Sequence, residues 1–180
     1  GIQSSQKVGP TVADDIKTSA IWSILFALIA IALYILIRFR NIAFSAGAVV
    51  GLVHDVLFIL GIYSIFYSIM PFSLEIDQSF IAAILTVIGY SINDTVVVFD
   101  RIRENVGLYP KRALNELINM SVNSTLSRTF STSFSTALPL LAMFIFGGET
   151  IRGFVFAILL GVIVGTYSTI FIASPIAYDI

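Results

Sequence analysis

Between residues 18 and 37 the chain runs for twenty positions without a charged side chain. Four more stretches, 42–69, 78–99, 129–146 and 153–177, are nearly as apolar. About 20 such residues in a helix, rising roughly 1.5 Å each, cover the hydrocarbon of a bilayer. A helix also satisfies its own backbone polar groups where no water can. The chain therefore reads as an all-α integral membrane protein, a polytopic bundle of five spans.

Composition agrees. Of 180 residues, 57% are hydrophobic and only 12% charged, where a soluble domain carries about a quarter charged. The charges gather at the ends of the apolar runs, as membrane insertion requires. The first run follows seventeen mixed residues and exceeds a signal peptide in length, so it reads as a true span. With no cysteine and His54 as the sole histidine, disulfides are excluded and no metal or other cofactor is expected. No basic patch interleaved with aromatics suggests a nucleic-acid partner.

The connections at 38–41, 70–77 and 147–152 are short. The segment 100–128 is longer, and after Pro110 it sets Leu114, Leu117 and Ile118 against Lys111, Arg112, Asn115 and Glu116. That spacing predicts a loop with a short amphipathic helix on the membrane surface. Arg38, Arg40, Arg101, Arg103, Lys111, Arg112 and Arg128 fall on one side of a five-span layout, and Lys7, Lys17 and Arg152 on the other. The basic excess assigns the first group to the cytoplasm, which puts the N-terminal end outside and the C-terminal end inside. Residues 1–17, with Gly9-Pro10 and Asp14-Asp15, read as the tail of an external domain that begins upstream.

Asp94 stands deep in the third span. A carboxylate at mid-membrane costs roughly 2.5–3.5 kcal/mol on insertion scales, so such residues mark proton relays, ion paths or counter-ions. Thr86, Tyr90 and Asn93 share its stripe, and Thr95 follows it. The plainer alternative is a carboxyl that only bonds a neighbouring helix. Arg128 opens the fourth span, with Ser131, Thr132, Ser135 and Thr136 at helical offsets. That face suits a wet groove, or else an interfacial anchor above ordinary interhelical hydrogen bonds. Asp55 closes a Gly47–Gly51–Asp55 row beside His54, and functional and structural readings of that pair stay open. Ala157, Gly161, Gly165 and Thr169 make a small-residue stripe that reads as packing. Asp100, Arg101, Arg103 and Glu104 read as a charge-paired helix end.

Several motifs in order resemble the SecF family of the bacterial SecDF export factor. They are VGPTVADDI at 8–16, GLVHDVLFILG at 51–61, GYSINDTVVVFDRIREN at 89–105, SRTFSTSFST at 127–136, FGGETIRGF at 146–154 and GVIVGTYSTIFIASP at 161–175. The resemblance implies half of a resistance-nodulation-division (RND) transmembrane domain, with five of its six helices present. It implies a bacterial inner-membrane location and use of the proton-motive force to help preproteins leave the SecYEG channel. SecD (fused or separate), SecYEG, YidC and the translocating preprotein are the partners it implies. Asp94 and Arg128 match its proton-relay positions, and the chain is not expected to be an enzyme. A small-molecule exporter of the same superfamily, or a structural subunit without proton transport, remains as an alternative. An aspartyl protease dyad of Asp55 and Asp94 is disfavoured, because Ser91–Asp94 reads SIND rather than Gly-x-Gly-Asp.

Overall fold

A computed structural model describes residues 10–179. Its elements are α1 (Pro10–Phe39), α2 (Ile42–Phe66), α3 (Gln78–Leu108), α4 (Leu114–Phe146), α5 (Glu149–Ser168), a π-turn (Thr169–Ala173) and α6 (Ser174–Asp179). The last three form one continuous rod. The expected helical bundle is present: among the described residues, five helices are long and apolar enough to cross a membrane.

Local chemistry sets the helix ends. Asn41 caps α2, its side-chain oxygen accepting from the Ala43 amide at 2.8 Å, and Asp77 caps α3 by accepting from Phe80 at 2.8 Å. Between α1 and α2 the chain reverses over two residues. Arg40 adopts φ 53° there, the left-handed conformation that commonly ends a helix, although usually on glycine. The π-turn has a visible cause in Pro175, which lacks an amide and would crowd the carbonyl four residues back in a regular helix. Widening that turn relieves the clash.

Two expectations change. The 100–128 segment is not a surface loop, because α3 continues to Leu108 and α4 already starts at Leu114. Leu117, Ser121 and Thr125 recur every fourth residue, and all are buried. The Asn105 amide donates to Ser121 Oγ at 2.7 Å, and Arg101 Nε reaches Ser124 Oγ at 3.2 Å. The amphipathic stripe thus packs on α3, while Leu114 is exposed. At the start of the chain, residues 10–17 belong to α1, so the segment read as an external tail is partly helix. Residues 1–9 lie outside the described residues.

α3 and the final rod form the centre. Of the most apolar stretch of each helix, 44% is buried in α3 and 50% in the rod, against 6% in α1 and in α4. One apolar cluster joins Leu52, Val56 and Ile59 of α2 to Ile84, Val87 and Ile88 of α3 and Ala157 and Val162 of α5. A second joins Ile35 and Phe39 of α1, Phe44 of α2, Val98 and Phe99 of α3, and Ala173 and Ala177. Gly161 lies against the Val87 side chain, and Gly165 lies against Ser91. The small-residue stripe therefore does pack.

Gly47 allows a close backbone approach between α2 and the rod, since a Cβ there would stand 2.5 Å from the Ala173 carbonyl oxygen. Gly47→Ala should destabilise the protein by about 1–3 kcal/mol, as overpacking does. Gly61→Ala, with nothing within 4 Å of its added carbon, should be neutral or slightly stabilising. Thermal unfolding in detergent checks the contrast, and equal melting temperatures would refute it.

Candidate functional site

Polar groups inside the bundle gather on α3. Ser91, Asp94 and Thr95 are all buried there, Asp94 retaining 4% exposure. Asp94 Oδ2 is buried without a hydrogen-bond partner among the described residues. Leaving a buried acceptor unpaired typically costs about 1–3 kcal/mol, which sets this atom apart from the satisfied polar groups around it. Arg128 is near enough to act on Asp94 through space, but no ion pair joins them among the described residues. The Arg128 side chain is exposed, and its carbonyl accepts from Thr132 Oγ1 at 2.9 Å.

The structure splits the stripe drawn through Asp94. Asn93 and Thr86 face outward, and Tyr90 is half-buried with its hydroxyl 3.4 Å from Thr136 Oγ1. On α4, Ser131 and Ser135 are exposed beside Arg128, Thr132 and Thr136 are half-buried, and Ser135 Oγ donates to the Ser131 carbonyl. Asn93, Arg128, Ser131 and Ser135 are thus polar groups turned away from the bundle on membrane-spanning helices.

Asp55 occupies a different place. It is fully buried, its Oδ2 accepting from Ser91 at 2.7 Å and from Ser168 at 2.9 Å. Its Oδ1 lies 3.3 Å from His54 Nδ1. His54, partly exposed, lies between the rings of Phe58 and Tyr167. The adjacent pair does meet, although neighbouring side chains on a helix diverge. No hydrogen bond joins Asp55 to Asp94 among the described residues.

Sequence reasoning missed the hydroxyls on the partner helices. Thr95 and Thr169 share a 2.8 Å hydrogen bond, and Ser133 and Thr166 one of 2.6 Å. Thr129 Oγ1 is buried and unpartnered, directly after Arg128. Ser91 had a signal, since it lies three residues before Asp94 and four before Thr95. Ser168 had none, because a helical Ser or Thr can equally bond its own backbone, and Thr169 showed only as the end of the small-residue stripe.

Residues 1–180 match the family model described as "Protein export membrane protein SecD/SecF, C-terminal". The chain belongs to this SecD/SecF family. It is 56% identical over 173 residues to the protein translocase subunit SecF of Rhodothermus marinus, covering 96% of this chain and 56% of that one. The Rhodobacter capsulatus SecF is 48% identical, covering 97% of this chain and 50% of the relative. The SecD/SecF domain also superimposes on a crystal structure of SecDF in a super-membrane-facing form. That match has TM-score 0.83 and 40% identity, covering 96% of this chain and 22% of the other. The chain spans about half the length of the curated relatives it matches.

Within this SecD/SecF domain, Thr95 and Thr169 bind α3 to the rod through one shared proton. A double-mutant cycle with Thr95→Val and Thr169→Val should give a coupling near the roughly 0.6 kcal/mol average for membrane hydrogen bonds. Additive destabilisation, read from unfolding in detergent, would remove the bond from the account.

Proposed function

We propose that the chain is the membrane portion of a SecF-type subunit that couples the proton-motive force to preprotein translocation at the bacterial inner membrane. Its SecD counterpart, fused or separate, completes the transmembrane domain, and SecYEG and YidC are the neighbouring machinery. The observation that carries the reading is Asp94, a buried carboxyl with a free oxygen in a chain of this family. Support for a SecD-like companion comes from Asn93, Arg128, Ser131 and Ser135, which face outward from apolar helices. In a membrane such groups turn to protein or to a water-filled path rather than to lipid.

Orientation follows the basic residues. The Arg38–Asn41 turn and the α3–α4 turn face the cytoplasm, and the start of α1 faces the periplasm. A proton arriving from the periplasm neutralises Asp94 and ends the pull of the Arg128 guanidinium on it. The helices then repack, and an external domain outside this chain moves with the exported polypeptide. One elementary charge crossing 100 mV supplies about 2.3 kcal/mol, on the scale of the few kcal/mol that separate two conformations of a protein.

In the full-length complex with SecD, Asp94→Asn should lower proton flux at least a hundredfold and abolish stimulation of export, while SecD still co-purifies. Arg128→Gln should lower flux at least tenfold, with Arg128→Lys retaining part of it. Proton uptake into reconstituted vesicles is the measurement. Normal flux and export in Asp94→Asn would overturn the assignment, and export without any proton flux in the native complex would leave a structural subunit.

A further inference from the structure

The Asp55 carboxylate sits where three helices meet, and both groups that grip its Oδ2 belong to elements with other work. Ser91 lies on α3, three residues before Asp94, and Ser168 is the last residue of α5, directly before the π-turn. One turn further along α3, Thr95 bonds Thr169, the first residue of that turn. Positions 91 and 95 of α3 are thus tied to the point where the rod widens, and Asp94 stands between them. π-turns inside helices occur mostly as single turns, often at functional sites.

The ties can be released. Ser168 Oγ has a second acceptor in its own helix, the Gly165 carbonyl at 3.2 Å, and Thr95 Oγ1 has one in the Ser91 carbonyl at 3.2 Å. Ser168 Oγ holds one proton, so it donates either to Asp55 or within its own helix, whereas Thr95 Oγ1 can donate to the Ser91 carbonyl while accepting from Thr169. A switch of Ser168 from Asp55 to Gly165 leaves its hydroxyl paired. On the far side of the π-turn the rod is self-supporting, Ser174 Oγ and the Ser174 amide both donating to the Thr169 carbonyl. A hinge needs this combination of an already widened turn and contacts with alternative partners.

We propose that Asp55 is a positioning residue, a clasp that holds the π-turn hinge of the last helix against α3 and so fixes the rotation at which α3 presents Asp94. Asp55 acts through Ser91 and Ser168. The proposal rests on the transport reading of Asp94 for its consequence, while the clasp itself has an independent readout. Opening the clasp frees α3 to turn against the rod and exposes the apolar seam where Val98, one turn beyond Asp94, packs with Ala173 and Ala177.

The test uses the full-length complex with SecD in vesicles, with Val98→Cys as reporter in this cysteine-free segment. A small methanethiosulfonate reagent measures access to the thiol, with and without an imposed proton gradient. With Asp55 intact, labelling should be slow at rest and at least fivefold faster under the gradient. Asp55→Asn should label at least tenfold faster at rest and lose the response to the gradient. Ser91→Ala removes only the α3 grip and should behave alike, which keeps the test decisive if Asp55→Asn fails to assemble. Resting labelling unchanged in Ser91→Ala overturns the clasp. So does faster labelling that keeps its full gradient response, since that is the mark of looser packing alone. An Asp94→Asn complex that still responds to the gradient counts against Asp94 as the proton carrier and leaves the clasp standing.

Discussion

The interior of this domain is organised around one oxygen atom. Asp55 Oδ2 accepts two hydroxyl protons from two different helices, and the carboxylate lies on a third. Two hydroxyl donors on one carboxyl oxygen satisfy a polar group that would be costly to leave bare in low dielectric. Glycines at 51 and 165 make room for it, one facing Ala173 and Ser168 and the other Ser91. α3 and the rod meet at this junction as well as along the apolar clusters, and Asp94 follows Ser91 by three residues.

Asp94 is the opposite case. It lies one residue from Thr95, whose hydroxyl is bonded to both α3 and the rod, yet its own Oδ2 has no partner among the described residues. A fold that satisfies one buried carboxylate threefold and leaves another open is not short of donors; Ser91, Thr95 and Thr169 are all within this region of α3 and the rod. The difference follows from direction. Asp55 points into the α2–α3–rod junction, whereas Asp94 lies on the side of α3 that approaches α4 and Arg128. α4 is also the helix whose polar row faces away from the bundle. α3 thus meets the satisfied carboxyl of α2 through Ser91 and carries the open one itself.

Much of this was readable in the sequence, and the rest was not for definable reasons. The helices follow from uninterrupted apolarity, and Asp94 and Arg128 announce themselves as charges at helical spacing from hydroxyl rows. The α3–α4 connection misled because Leu114, Leu117 and Ile118 fit a surface helix as well as a helix packed on a neighbour. Only the burial of Asn105 against Ser121 decides between them. The Tyr90–Asn93–Asp94 stripe was drawn too wide, since a hundred-degree step separates Asn93, which is exposed, from Asp94, which is buried. Ser168 carries no signal of its own, and Thr169 only its place in the small-residue stripe. Their importance comes from a π-turn that shifts the facing of the rod, and the one hint was the Ser-Pro step at 174–175.

Magnitudes connect the two faces. Interhelical hydrogen bonds in membranes average about 0.6 kcal/mol, because the separated helices find other partners. Ser168 and Thr95 illustrate that reason directly, each having an acceptor in its own helix. A junction built of a few such bonds resists rearrangement by no more than about what one charge gains in crossing 100 mV, roughly 2.3 kcal/mol. Purely apolar contacts of the size seen between Val87 and Gly161 could not be reset so cheaply, since their burial has no alternative partner in the same helix. On the proposed reading, polar ties with a second acceptor sit where motion is needed, around the π-turn, and the seam between Val98 and the rod opens with them. Proton binding at one carboxyl would then suffice to move the joint because the joint is this weak.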